Sequence, residues 1–126
     1  MNKQLGIITK ANLEIKERGI LNFWLYVDYE EGCSQGVGGI VLDEYNEDTK
    51  ERVGTAYGCE MIRQLLLCLN VNDFSEMKGI HIWVVGEGEG FSFKPKGIQA
   101  LRDNGGKKVI FDDILEILDN KGNKDD

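Results

Sequence analysis

The chain has 126 residues, 41% hydrophobic and 29% charged, with 15 basic against 22 acidic side chains and a net charge of −7. That length supports one hydrophobic core, and the proportions exclude wholesale disorder. The acidic balance argues against stable DNA or RNA binding, which draws its affinity from cations that displace condensed counterions. No apolar run approaches the roughly 18 residues of a membrane span, and Met1–Gln4 leads into no signal-peptide core, so a cytoplasmic protein is expected.

Residues 5–17 alternate, with Ile7, Thr9, Ala11, Leu13 and Ile15 on one face and Ile8, Lys10, Asn12, Glu14 and Lys16 on the other. Period two predicts a half-buried strand. After a turn at Arg18-Gly19, residues 20–29 alternate again, with Leu21, Phe23, Leu25, Val27 and Tyr29 inward. The opposite face, with Asn22, Trp24, Tyr26 and Asp28, is too aromatic for an ordinary solvated surface, which marks Trp24 and Tyr26 as an interface and predicts a homo-oligomer. The two strands read as a hairpin. A third strand over 33–42 contains Gln35-Gly36-Val37-Gly38-Gly39. Glycines there signal a bulge that lets the helix pack closely, or a floor on which a planar ligand or a partner backbone lies flat.

Residues 43–52 read as a charged surface loop. Thr55 is a suitable N-cap for a main helix over 56–69, whose stripe is Met61, Ile62, Leu65, Leu66, Cys68 and Leu69, with Glu60, Arg63 and Gln64 on the other side and Asn70 as its stop. Asp73-Phe-Ser-Glu76 predicts one helical turn ended by Gly79, and residues 80–85 a fourth strand. Gly86 to Gly90 reads as a hairpin turn, because Glu87 and Glu89 would repel a phosphate, and Phe91-Ser-Phe93 as a short fifth strand. Residues 97–110 are ambiguous. Asp112 is expected to cap a short helix carrying Ile114, Leu115 and Leu118, and 119–126 to be a polar tail after a single domain over 1–118. The class is therefore α+β, an antiparallel sheet of about five strands against one main helix and a short C-terminal helix.

Enzyme motifs are nearly absent. His81 is the only histidine, and Cys33, Cys59 and Cys68 form no C-x-x-C pair, so no metal site and no catalytic residue is expected. What remains are pieces of a binding site. The helix start offers free amides with Thr55 and Tyr57 beside them, and Arg52 and Arg63 as cations for a phosphate. Gln35 and Gly38 belong to the glycine-rich strand, and Phe91, Phe93 and Lys94 offer rings for base stacking with a nearby cation.

The strings Gly19-Ile-Leu-Asn-Phe-Trp-Leu, Gln35-Gly-Val-Gly-Gly-Ile-Val-Leu-Asp43 and Arg52-Val-Gly-Thr-Ala-Tyr-Gly-Cys-Glu-Met-Ile-Arg63 resemble a small accessory protein of tailed bacteriophages, over most of residues 5–85. Size and organisation are similar to the first Thoeris anti-defence family. That resemblance implies an oligomeric sponge that sequesters a cyclic ADP-ribose-type immune signal without cleaving it. Such a protein is no enzyme and needs no cofactor, only a shaped pocket. Two alternatives stay open on the residues alone: an acidic inhibitor that occupies the nucleic-acid channel of a host defence enzyme, and a phage accessory protein without a ligand.

Overall fold

The computed structural model describes residues 1–122. Alternation of apolar and polar residues produces a long hairpin of β1 (Asn2–Ile15) and β2 (Leu21–Tyr29), and β3 (Ser34–Val41) pairs with β2. A small hairpin of β4 (Asp43–Asn46) and β5 (Glu51–Gly54) leads into helix α1 (Ala56–Leu69). After it come β6 (His81–Glu87), β7 (Lys94–Ala100), β8 (Lys108–Ile110) and helix α2 (Ile114–Gly122). The fold is α+β: a six-stranded antiparallel sheet in the order β3-β2-β1-β6-β7-β8, a separate two-stranded hairpin, one main helix and a short C-terminal one. Among the described residues, no helix is long and apolar enough to cross a membrane.

The inward side of β2 is as its alternation predicts: Phe23, Leu25 and Val27 are fully buried and Tyr29 nearly so. β1 departs from the expected facing. Its register passes from Ile8 opposite Val27 to Lys10 opposite Tyr26, so Thr9 is an extra residue and the side-chain phase flips there. Ile8, not Ile7 or Thr9, is the fully buried residue before the bulge, and Ala11, Leu13 and Ile15 share the core side only after it.

The glycines of β3 have a physical cause of their own. A methyl group on Gly39 (φ +68°) would lie 2.5 Å from the Trp24 ring, and one on Gly38 (φ +112°) 2.6 Å from Phe23. The strand is bulged at this point and receives aromatic rings of β2 on both faces, Trp24 outside and Phe23 inside. The expected floor for a planar group therefore carries the protein's own indole. Trp24 also stacks on Tyr26, with centroids 6.3 Å apart, and Lys16 and Lys10 lie over the two rings.

α1 matches its predicted bounds. The Thr55 hydroxyl accepts from the Gly58 N–H at 2.9 Å, and Asn70 closes the helix in the left-handed region at φ +56°. Glu60, expected on the solvent side, is instead buried: Gln64 Nε2 donates to its Oε2 at 2.6 Å, and Arg63 approaches to 3.7 Å. Phe23 packs edge-on against Phe111 and Phe74, whose centroids are 5.7 and 6.5 Å away, so β2 joins α1, the 74–77 turn and α2 into one core.

Three further expectations are corrected. The charged stretch 43–52 is not a loop but the β4–β5 hairpin. Phe91–Phe93 is not a strand: Gly90–Ser92 forms a 3₁₀ turn, and the fifth strand of the sheet begins at Lys94, with the ambiguous stretch supplying the rest of β7 and the sixth strand, β8. Asp112 lies inside a 3₁₀ turn, Phe111–Asp113, that runs directly into α2, so it is not a flanking cap. α2 spans Ile114–Gly122, and residues 123–126 of the polar tail expected over 119–126 lie outside the described residues.

Candidate functional site

One end of the sheet curls until β3 reaches the connection that enters β7, although three strands separate them in the sheet order. Gln35 fixes the closure. Its Nε2 donates to the Phe93 carbonyl at 3.2 Å, and its Oε1 accepts from the Tyr29 hydroxyl at 2.6 Å. The ring of Tyr29 meets Phe93 edge-on at 6.4 Å. Burial pushes the Tyr29 hydroxyl up to about 12, so it stays a neutral donor across the physiological range.

Above this strut lies an open cavity of about 580 Å³. Tyr29, Gln35 and Phe93 line it together with Gln4 of β1, Glu31 and Cys33 of the β2–β3 turn, Ser34 of β3, and Gly90 and Phe91. Phe91 stands at its rim with its whole surface exposed (106% of the reference value), while Phe93, two residues on, is 4% exposed. The 3₁₀ turn accounts for the difference, because it breaks the two-residue period that would put both rings on one face. A second, smaller cleft of about 260 Å³ adjoins the first through Gln4, Tyr29 and Glu31 and adds Lys3, Leu5, Glu30 and Trp83. There the Lys3 ammonium lies 4.6 Å from the Trp83 ring centroid.

The residues singled out from sequence fall into three places. Gln35, Phe91 and Phe93 gather at the cavity; exposed Lys94 follows in the chain but does not line it. Arg52 and Thr55 lie where β5 enters α1. Arg52 Nη2 donates to Asp43 Oδ1 at 2.7 Å, and Asp43 Oδ2 accepts from the Leu21 N–H at 3.1 Å. The Arg52 hydrogen bond holds the Asp43 carboxyl below its ordinary range, with the Leu21 N–H helping and burial opposing. Thr55 caps α1 and donates its own hydroxyl to the Leu42 carbonyl at 2.8 Å. Tyr57 is half-buried beside the core, its hydroxyl pushed up by burial and by the nearby Asp112 charge. Gly38 lies under Phe23, and exposed Arg63 turns to Glu60. The helix start is thus knitted into the fold through Arg52 and Thr55, and it does not join the aromatic cavity.

Sequence reasoning missed Gln4, Tyr29, Glu31, Cys33 and Ser34 as cavity residues. Tyr29 carried a legible signal: an inward tyrosine at a strand end needs a partner for its hydroxyl, and Gln35 lies within reach across the turn. Gln4 carried none, since it reaches the cavity only through the curl of the sheet. Among the described residues Glu31 is the sole charged one lining it, so the larger cavity suits an uncharged planar ring, with amide and hydroxyl groups at its edge. Among the described residues, no group of three or more His, Cys, Asp or Glu side chains is placed to hold a metal ion. Burial raises the Cys68 thiol to about 11, and it donates to the Lys107 carbonyl at 3.2 Å. Compared with known proteins, the chain matches no family model, no curated protein and no solved structure.

Proposed function

We propose that the protein is a non-catalytic binding protein that captures a small nucleotide-like molecule by its base. This reading agrees with sequestration of a cyclic ADP-ribose-type immune signal, the role that the phage-family resemblance implies. The observation that carries it is the fully exposed Phe91 ring at the rim of the cavity, above a floor of Tyr29 and Phe93. A bare aromatic ring in water over an open cavity is an unfilled stacking surface, and a base laid on such a ring gains about 1–3 kcal/mol. Spare hydrogen-bonding capacity on the Gln4 and Gln35 amides and the Cys33–Ser34 edge would read the rim of that base. Lys3, in the adjoining cleft, offers a cation for a phosphate, against the opposing charge of Glu30 and Glu31.

Calorimetric titration with adenosine, ADP and cyclic ADP-ribose tests the reading. Binding of at least one of them, weakened by Phe91→Ala to the extent of one stacking contact, supports it. Mass spectrometry of the ligand released by heat should then return it intact. Absence of binding by all three, or equal binding by the variant, sinks the base-stacking site, and recovery of cleaved ligand sinks the non-catalytic role.

A further inference from the structure

The bulge at Thr9 has a second effect, on the outer side of the sheet. Before it the outward residues of β1 are odd-numbered and after it even-numbered, so Lys3, Lys10 and Lys16 come to one face. Each of their ammonium groups lies over an aromatic ring: Lys3 4.6 Å from the Trp83 centroid, Lys10 5.8 Å from Tyr26 and Lys16 6.0 Å from Trp24. All three lysines are exposed and all three rings partly so, while both helices pack against the opposite side of the sheet. Gly36 and Gly39 let the indole of Trp24 lie down on β3, where a methyl group would stand 3.0 and 2.5 Å from it. Trp24 and Tyr26 then form a near-parallel pair, their planes 23° apart.

We propose that this face holds a short single strand of nucleic acid. A ring with an ammonium beside it offers what one nucleotide needs, a stacking surface for the base and a cation for the phosphate. The unit occurs three times along β1, whose neighbours β2 and β6 supply the rings. From Leu5, opposite Trp83, to Asn12, opposite Trp24, is roughly 20 Å at about 3.3 Å per residue, room for about four nucleotides. An apolar protein partner would match the rings but not the repeated cations, and a polyanion without bases the reverse. Lys108, opposite Gln99 on the same face, adds a further cation. Glu14 and Asp28 flank the Trp24–Tyr26 pair but are engaged, Glu14 with Lys16 at 3.3 Å and Asp28 with the Ser34 hydroxyl at 2.7 Å. Glu30 and Glu31 line the cleft at the Trp83 end, so the phosphates favour the Lys10–Lys16 end. The net charge of −7 opposes the strand as a whole, which makes the binding weak and steeply dependent on salt. Neither Trp24 nor Tyr26 lines the Phe91 cavity, so the two sites stand or fail separately.

Fluorescence anisotropy of a labelled oligothymidylate of about ten nucleotides, at low salt, tests the assignment. The wild type should bind it, and an unlabelled duplex or inorganic polyphosphate should displace it poorly, since neither offers a free base. Trp24→Ala should weaken binding by about tenfold, the loss of one stacked base. Lys10→Gln, at an exposed position, should weaken it severalfold and flatten its salt dependence, and this variant decides the matter if Trp24→Ala does not fold. Phe91→Ala should bind the strand as the wild type does. No binding, displacement by duplex or polyphosphate as good as by the single strand, or affinity unchanged in both face variants overturns the proposal. Loss of binding in Phe91→Ala overturns it as well, because the strand would then occupy the cavity.

Discussion

The start of α1 and the Phe91 cavity are two regions rich in groups that bind ligands, and they use them in opposite ways. At the helix start the cap and the carboxylate are bonded into the fold: Thr55 serves Gly58 and Leu42, and Asp43 serves Arg52 Nη2 and Leu21, while among the described residues the buried Arg52 Nε has no hydrogen-bond partner. At the cavity the strut below is satisfied, but the ring above it is not. Polar groups that close on one another hold a fold together, whereas an apolar ring left in water is what a ligand can cover. Residue type alone made the two regions look equally good; their partners separate them.

Phe91 and Phe93 give the sharpest way to break that comparison. Phe93→Ala opens the floor of the cavity and should cost about 3–5 kcal/mol of stability, as truncation of a buried phenylalanine does. Phe91→Ala should stay within about 0.5 kcal/mol. Denaturant melts of both variants check this, and equal losses would mean that the rim is as structural as the floor. At the other region, Gly58→Ala is expected to cost about 1–3 kcal/mol, because the new methyl group would meet the Leu42 carbonyl oxygen, well inside contact distance. Thr55→Ala removes the cap and should cost about 1 kcal/mol, with helix content by circular dichroism falling at its onset.

The Asp43 pair gives a pH signature whose sign follows from the depressed folded value. Its stabilising contribution is present above the unfolded carboxylate value of about 3.9 and is lost as pH falls through the lower folded one. Melting temperature should therefore drop across that acid range, and Asp43→Asn should flatten that part of the profile. Arg63→Ala is expected to have the smallest effect, within about 0.5 kcal/mol, since Arg63 is exposed and its approach to Glu60 is a loose i, i+3 pair. A large loss of affinity for a phosphate-bearing ligand in that variant would return the helix start to the binding site.

Wherever period and cap agree, the sequence was sufficient. The β1–β2 hairpin follows from alternation, and α1 from Thr55, its apolar stripe and Asn70, because those signals are local and use the chain's own backbone bonds. Signals that depend on a single residue of phase were not legible. The bulge at Thr9 moves the core side from the odd to the even positions before it, and the 3₁₀ turn at Gly90–Ser92 parts Phe91 from Phe93. No pattern of residue types announces either one.

The sequence by itself determined the class, the main helix and the inward face of β2, because burial of apolar side chains at a fixed period admits one solution for each. Tertiary structure alone decided which candidate residues meet. The curl that brings Gln35 to Phe93 joins residues 58 apart in the chain, and the closure of Arg52 on Asp43 removes a cation that the sequence offered to a ligand. Hydrogen bonds at such separations are set by the path of the sheet, and that path is a property of the whole core.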